Sequence, residues 1–447
     1  MLALIRIYRS KPLLRPGFFG TLMEAVMEIL LSLSICLLAG LLLSRVAKIL
    51  SLPAVTAYLV AGILVGPFVL GGLGIDGIGF TSLESVEHYS LISDLALGFI
   101  AFAIGNEFRI SQLKKIGKQA TVIGILQAVI TTLLVDAVLI ALHYANMIPL
   151  SAAITLGAIA SATAPAATLM VVKQYKAKGA VTSTLLPVVA LDDAVGLVIF
   201  AISFGIARSV ESGSVNRISV VLEPALEVIA SLALGTIMGF LFNLTERVFH
   251  SRSKRMAVSV TFVLLTVALS KITIPIAEGV EIVFSSLLTC MMLGTVFCNI
   301  CDFSEELMER VDRWSAPLLV LFFVLSGAEL NLSVFSSGII VLIGVVYILS
   351  RSAGKMIGAF SSAKLSKCEP NIVKYLGITL LPQAGVALGM ANKANEVLLS
   401  GELILNITLF AVLVYELVGP FLTKKALEAA GEINPEGKIS ARDAKMQ

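Results

Sequence analysis

Apolar runs long enough to cross a bilayer recur along almost the whole chain, and they constrain its fold more than any motif. A spanning helix needs about 20 mainly apolar residues, and about thirteen such segments can be marked out in the 447 residues. Their approximate cores are 28–44, 53–70, 89–108, 120–144, 149–172, 182–207 and 222–249, then 256–274, 281–300, 314–330, 337–360, 371–392 and 403–422. Inside lipid every backbone N–H and C=O must be satisfied by the protein, which makes helices the solution for runs of this length. The fold class is therefore an all-α polytopic membrane protein. Charged residues make up only 14%, against roughly 25% in soluble domains, and the net charge of +3 sits in short loops, which argues against nucleic acid as a partner. Cys298 and Cys301 form an isolated C-x-x-C; without a second pair or a histidine cluster, buried thiols are the expectation.

Loop charge orients the chain. Exits of odd-numbered segments carry Arg45 and Lys48; Arg109, Lys114, Lys115 and Lys118; Lys173, Lys176 and Lys178; and equivalent groups around Arg252, Arg310 and Lys364. Exits of even-numbered segments carry only Arg208, Arg217, Lys271 and Lys393. The positive-inside rule then puts the C-terminus in the cytoplasm and the N-terminus outside. Arg6, Arg9, Lys11 and Arg15 oppose this at the N-terminus; they read as a basic extension (1–22), either a surface segment or sequence upstream of a start at Met23 or Met27. It lacks the continuous apolar stretch of a cleavable signal peptide.

The chain repeats itself. Gly105-Asn106-Glu107-Phe108-Arg109-Ile110-Ser111 closes the third segment and Gly327-Ala328-Glu329-Leu330-Asn331-Leu332-Ser333 closes the tenth. Two segments later in each half comes a proline-interrupted run, with Pro165 in one and Pro382-Gln383 in the other. An offset of seven segments is odd, so the halves must be oppositely oriented: six segments, a linker, and six inverted. Inverted repeats with matched helix breaks are the pattern of secondary transporters, and the breaks point to the binding site. Proline frees backbone carbonyls, which at membrane depth need protein, water or an ion.

Beside these breaks, in the sixth segment, stand Asp192 and Asp193. A carboxylate at bilayer depth costs at least a few kcal/mol and usually lines an ion or proton path. Neighbours on a helix point about 100° apart, so one aspartate can face a cavity while the other faces a neighbouring helix. The cation that the second needs is offered by the eleventh segment, where Arg351 and Lys355 are four apart and share a face; for Lys355 the competing reading is snorkelling to the interface. Thr163, Ser161 and Thr168 can lend hydroxyls to a cation or satisfy helix carbonyls. Glu107 and Glu329 read as helix-end residues, and Glu416 as bonded to a neighbouring helix. Adjacent aspartates on one helix cannot converge on a single water, which excludes an intramembrane aspartyl protease. An enzyme is not expected, nor any cofactor.

With the run Leu52 to Pro67, the Thr163-Ala164-Pro165 break, the double aspartate and Gly354-Lys355 in this order, the chain resembles the monovalent cation:proton antiporters, specifically the second cation:proton antiporter family. The resemblance covers about residues 25–423. It implies a homodimer in a cell (inner or plasma) membrane. Dimerisation-domain helices would occupy 23–119 and, with a linker helix, 209–335; a core domain of 120–208 and 336–423 would move against them like an elevator, leaving a short tail, 424–447. It also implies that Asp193 is the principal carrier and that Asp192 pairs with a basic residue of the eleventh segment, Lys355 or Arg351. Exchange of Na⁺ (or Li⁺) for H⁺ is the function expected, with the metal ion at Asp193 and Asp192. A K⁺/H⁺ antiporter of the same fold and a Na⁺-coupled organic-anion symporter are the alternatives.

Overall fold

A computed structural model of the chain describes residues 18–433 except 51, 74–78, 107, 213–216, 278–279, 302, 331 and 334–336. Within these the side chains of some helical residues, Asp193 among them, also lie outside the description, as does Glu107 altogether. Each apolar segment read from the sequence contains helix. The first four are α1 (Phe18–Ile49), α2 (Ala54–Val65), α4 (Ser90–Asn106), preceded by a short α3 (Leu83–Glu87), and α5 (Ile110–Tyr144). The fifth is two half-helices, α6 (Leu150–Ile159) and α7 (Pro165–Tyr175), followed by α8 (Ala180–Ser212) and the linking α9 (Arg217–Val248). The second half runs α10 (Arg252–Ser270), α11 (Ser286–Ile300), α12 (Ser304–Ala328), α13 (Gly338–Leu365), the half-helices α14 (Pro370–Thr379) and α15 (Gly385–Val397), and α16 (Gly401–Ala429). Eight of these helices are long and apolar enough to cross a membrane by length and composition.

One departure from the expected helices lies between α10 and α11. A two-stranded antiparallel hairpin, β1 (Ile274–Ala277) and β2 (Val280–Ile282), pairs Ile274 with Ile282 there. The β-branched run Ile272-Thr273-Ile274 leads into Pro275, which disfavours helix at the residue before it, so α10 stops early and α11 starts late.

Packing obeys the inverted repeat. α4 packs against α11 as α12 packs against α2, and α5 with α6 and α8 is matched by α13 with α14 and α16; α5 and α13, which the repeat exchanges, form the most extensive helix pair. Glycines show why Gly105 and Gly327 recur. A Cβ on Gly105 would stand 2.0 Å from the Met291 carbonyl oxygen, and one on Gly294 2.2 Å from that of Phe102. In the other half a Cβ on Gly62 would stand 2.0 Å from the Val324 carbonyl oxygen, and one on Gly327 2.2 Å from that of Leu59. Helices gain little hydrophobic drive from lipid, so small residues that let backbones meet supply the association.

A second matched device closes each half. Glu211, at the end of α8, accepts from the backbone N–H of Leu399 (2.7 Å) and Ser400 (3.3 Å) ahead of α16, and from the hydroxyls of Ser151 (2.6 Å) and Ser400 (2.8 Å). Glu432, just past α16, accepts from the N–H of Val181 (2.6 Å) and Thr182 (2.8 Å) at the start of α8, and from the Thr182 hydroxyl (2.6 Å). Each helix thus ends in a carboxylate that caps the other's N-terminus, satisfying donors that a helix start leaves open.

Candidate ion site at the helix crossing

The two breaks meet. Residues 160–164 separate α6 from α7 and residues 380–384 separate α14 from α15, and the segments are joined by the Ala164 N–H donating to the Pro382 carbonyl at 2.8 Å. Pro165 does not kink a continuous helix; it occupies the first turn of α7, where its missing N–H costs nothing and its φ is already helical. Pro382 lies within the second break. The C-terminal ends of α6 and α14 and the N-terminal ends of α7 and α15 all abut this crossing, so partial charges of both signs converge on it.

α13 supplies the cations that the crossing carbonyls need. Arg351, fully buried, spreads its donors over both breaks: Nε to the Ala160 carbonyl (3.0 Å), Nη2 to that of Ala162 (2.6 Å) and Nη1 to that of Leu381 (2.7 Å). Its guanidinium also lies over the Tyr415 ring, 4.5 Å from the centroid. The planar fork suits arginine to several carbonyls at once. Gln383 donates to the Ile159 carbonyl and to the Tyr347 hydroxyl, both at 3.0 Å, while its buried Oε1 has no hydrogen-bond partner among the described residues.

One helical turn along α13, Lys355 does something else. Its ammonium is fully buried and 2.8 Å from Asp192 Oδ2. It also donates to the Ser161 carbonyl, to Thr163 Oγ1 (2.9 Å) and to Gln127 Oε1 (3.0 Å). Asp192 accepts in addition from the Thr163 hydroxyl and from Gln127 Nε2. Of the two cations the sequence left open, Lys355 is therefore the one on Asp192, and Arg351 holds backbone. Close approach of α5 explains the choice: a Cβ on Gly354 would stand 2.9 Å from Thr131 Cα, and one on Gly358 3.0 Å from Gln127 Cα. This Gly-x-x-x-Gly flanks Lys355 and lets α5 reach the pair.

The remaining candidates divide. The hydroxyls of Ser161 and Thr168 donate to carbonyls of their own segments, Ala158 (2.7 Å) and Ala164 (3.2 Å). Glu416 is buried, and its Oε2 has no hydrogen-bond partner among the described residues. Glu329 caps the C-terminus of α12. Asp193 lies on α8 beside Asp192. Gln127 is not among the residues the sequence singles out, although an amide in the middle of the apolar run 120–144 is itself a signal at bilayer depth.

A buried ion pair at the crossing of two interrupted helices, inside an inverted repeat, defines a multi-pass membrane transporter. A family profile described as "Sodium/hydrogen exchanger, transmembrane" matches residues 30–429, and the chain belongs to that family. This is the superfamily that the sequence suggested, with the sodium/hydrogen exchangers in place of the second cation:proton antiporter family. The chain is 25% identical over 395 residues to the "High-affinity Na(+)/H(+) antiporter NhaS3" of Synechocystis, covering 81% of this chain and 82% of that protein. Its fold is similar to that of the sodium proton antiporter MjNhaP1 from Methanocaldococcus jannaschii at pH 8, with a TM-score of 0.66 at 20% identity over 92% of this chain and 99% of the other. An electron-microscopy structure of the same antiporter gives 0.68 at 19% identity, over 92% and 96%.

Proposed function

We propose that the protein exchanges Na⁺ or Li⁺ for H⁺ across a cell membrane, cation and proton competing for carboxylates at the helix crossing. The observation that carries this reading is the Asp192–Lys355 pair, fully buried at 2.8 Å where two broken helices meet, in a chain of the sodium/hydrogen exchanger family. Two charges withdrawn from water are costly and rarely justified by stability alone. The names of NhaS3 and MjNhaP1, both Na⁺/H⁺ antiporters, point the same way.

In this reading Asp193 is the principal carrier, holding either a proton or a partly dehydrated cation, while Asp192 lends a second carboxylate when the cation draws it from Lys355. Carbonyls and hydroxyls at the breaks, Thr163 first, complete the oxygen shell that a hard cation prefers. Exchange follows if the charged, empty site crosses poorly and the loaded site crosses well. The group α5–α8 with α13–α16 carries the site across, elevator-fashion, against α1, α2, α4 and α10–α12, which hold a homodimer together; the C-terminus faces the cytoplasm and the N-terminus the outside. The six-and-six packing and the loop charges support this arrangement.

The test is cation-evoked proton movement in proteoliposomes carrying a pH dye, with Na⁺, Li⁺ or K⁺ added to wild type and to Asp193→Asn. A Na⁺- and Li⁺-evoked signal that disappears in the variant is expected. A signal from K⁺ alone would transfer the reading to K⁺/H⁺ exchange, and wild type silent to every cation would end it in favour of symport.

A further inference from the structure

One buried side chain touches both members of the Asp192–Lys355 pair without carrying a charge. Gln127 of α5 is fully buried; its Nε2 donates to Asp192 Oδ1 and its Oε1 accepts from Lys355 Nζ at 3.0 Å. The ends of an amide are not interchangeable: the oxygen only accepts and the NH₂ only donates. The ion pair therefore dictates which way Gln127 points, and Gln127 in turn ties the carboxylate to the ammonium. Its backbone is held as firmly. The Thr131 hydroxyl donates to the Gln127 carbonyl at 2.6 Å, and Gly358 leaves room for Gln127 Cα where a Cβ would stand 3.0 Å away. An amide needed only to fill an apolar helix contact would have no reason to reach both charges.

We propose that Gln127 is a positioning residue for the exchange: by bridging Asp192 and Lys355 it keeps the pair closed and so sets how much cation is needed to open it. This rests on the cation–proton competition proposed above. A cation that recruits Asp192 must draw it off the ammonium and break the bridge, so the amide works against the cation. Its removal makes the site easier to load. Losing one hydrogen bond to a charged group corresponds to about tenfold in an equilibrium constant.

The experiment titrates the purified full-length protein with NaCl at ionic strength held constant by choline chloride, reading the cation-dependent rise in melting temperature. Gln127→Met keeps the side-chain length and removes both ends of the amide. The half-saturating Na⁺ concentration is expected to fall about tenfold in Gln127→Met. The same substitution in a Lys355→Met background should move it less than about twofold, because a residue that acts through its neighbour is not additive with it. A merely structural role would give equal shifts in both backgrounds, and that result overturns the proposal. So does a Gln127→Met curve that superimposes on wild type. If Gln127→Met melts before titration, Gln127→Asn, whose shorter amide cannot reach both charges, is titrated instead; a shift in the same direction supports the bridge and no shift refutes it. Wild type without Na⁺-specific stabilisation would remove the exchange reading and the bridge together, whereas a stabilised wild type with unshifted variants removes the bridge alone.

Discussion

At the scale of single residues the site is a problem in placing charge away from water. Asp192 and Lys355 are both fully buried, and removing one partner of such a pair leaves the other uncompensated, at a cost of about 3–5 kcal/mol. Lys355→Met should therefore lower the stability of the detergent-solubilised protein by roughly that amount, and Asp192→Asn in the same background should restore part of it; a thermal melt of these two variants beside wild type decides. If Lys355→Met melts like wild type, the pair contributes nothing to the folded state. Much of this chemistry was legible, because an aspartate, lysine or arginine inside an apolar run is costly enough to mark a pathway or a pairing. The partner of Asp192 was not legible: Arg351 and Lys355 share a helix face, and only the approach of α5 at Gly354 and Gly358 separates their roles. Gln127 escaped because it is uncharged and has no counterpart motif in the other half.

Among elements, the half-helices and the reciprocal caps matter most. Pro165 and Pro382 marked the breaks in the sequence because proline at membrane depth must leave carbonyls for something else to bind; Arg351, Lys355 and Gln383 turn out to bind four successive ones, Ile159 to Ala162. Glu211 and Glu432 could not be recognised beforehand, since a glutamate at a helix end looks like any solvated charge until the helix it caps is known. Each accepts two backbone N–H groups, and loss of a cap of this kind costs about 1–2 kcal/mol. Glu211→Ala and Glu432→Ala should each lower stability by about that much, and the double variant by close to the sum, because the caps lie at opposite ends of α8 and share no partner. Denaturant or thermal titration of the three variants would show it; a double variant no worse than either single would mean the two ends are not independent.

For the whole molecule the question is which contacts must slide if the site is to change sides. α7 of the proposed carrying group reaches the other group at one end: Lys173 is 2.7 Å from Asp312 of α12, and the Ala54 N–H at the start of α2 donates to Gln174 Oε1 at 2.8 Å. A spacer-free carbodiimide should join Lys173 to Asp312 as an amide and arrest exchange in proteoliposomes, whereas Lys173→Arg, which cannot form that link, should keep transporting after the same treatment. A wild type that is linked yet transports as before would show that the contact does not need to move, and equal inhibition of both proteins would trace to other carboxylates rather than to the link. The proposed exchange depends on proton and cation competing for the same carboxylates. Proton release on Na⁺ binding tests it most directly, measured with a pH dye on purified protein in weakly buffered solution, away from any membrane gradient. Wild type should release on the order of one proton per Na⁺ bound, as linkage between the two ligands requires, and Asp193→Asn should release far less. Na⁺ that binds wild type without freeing protons, or equal release from Asp193→Asn, would rule out that competition.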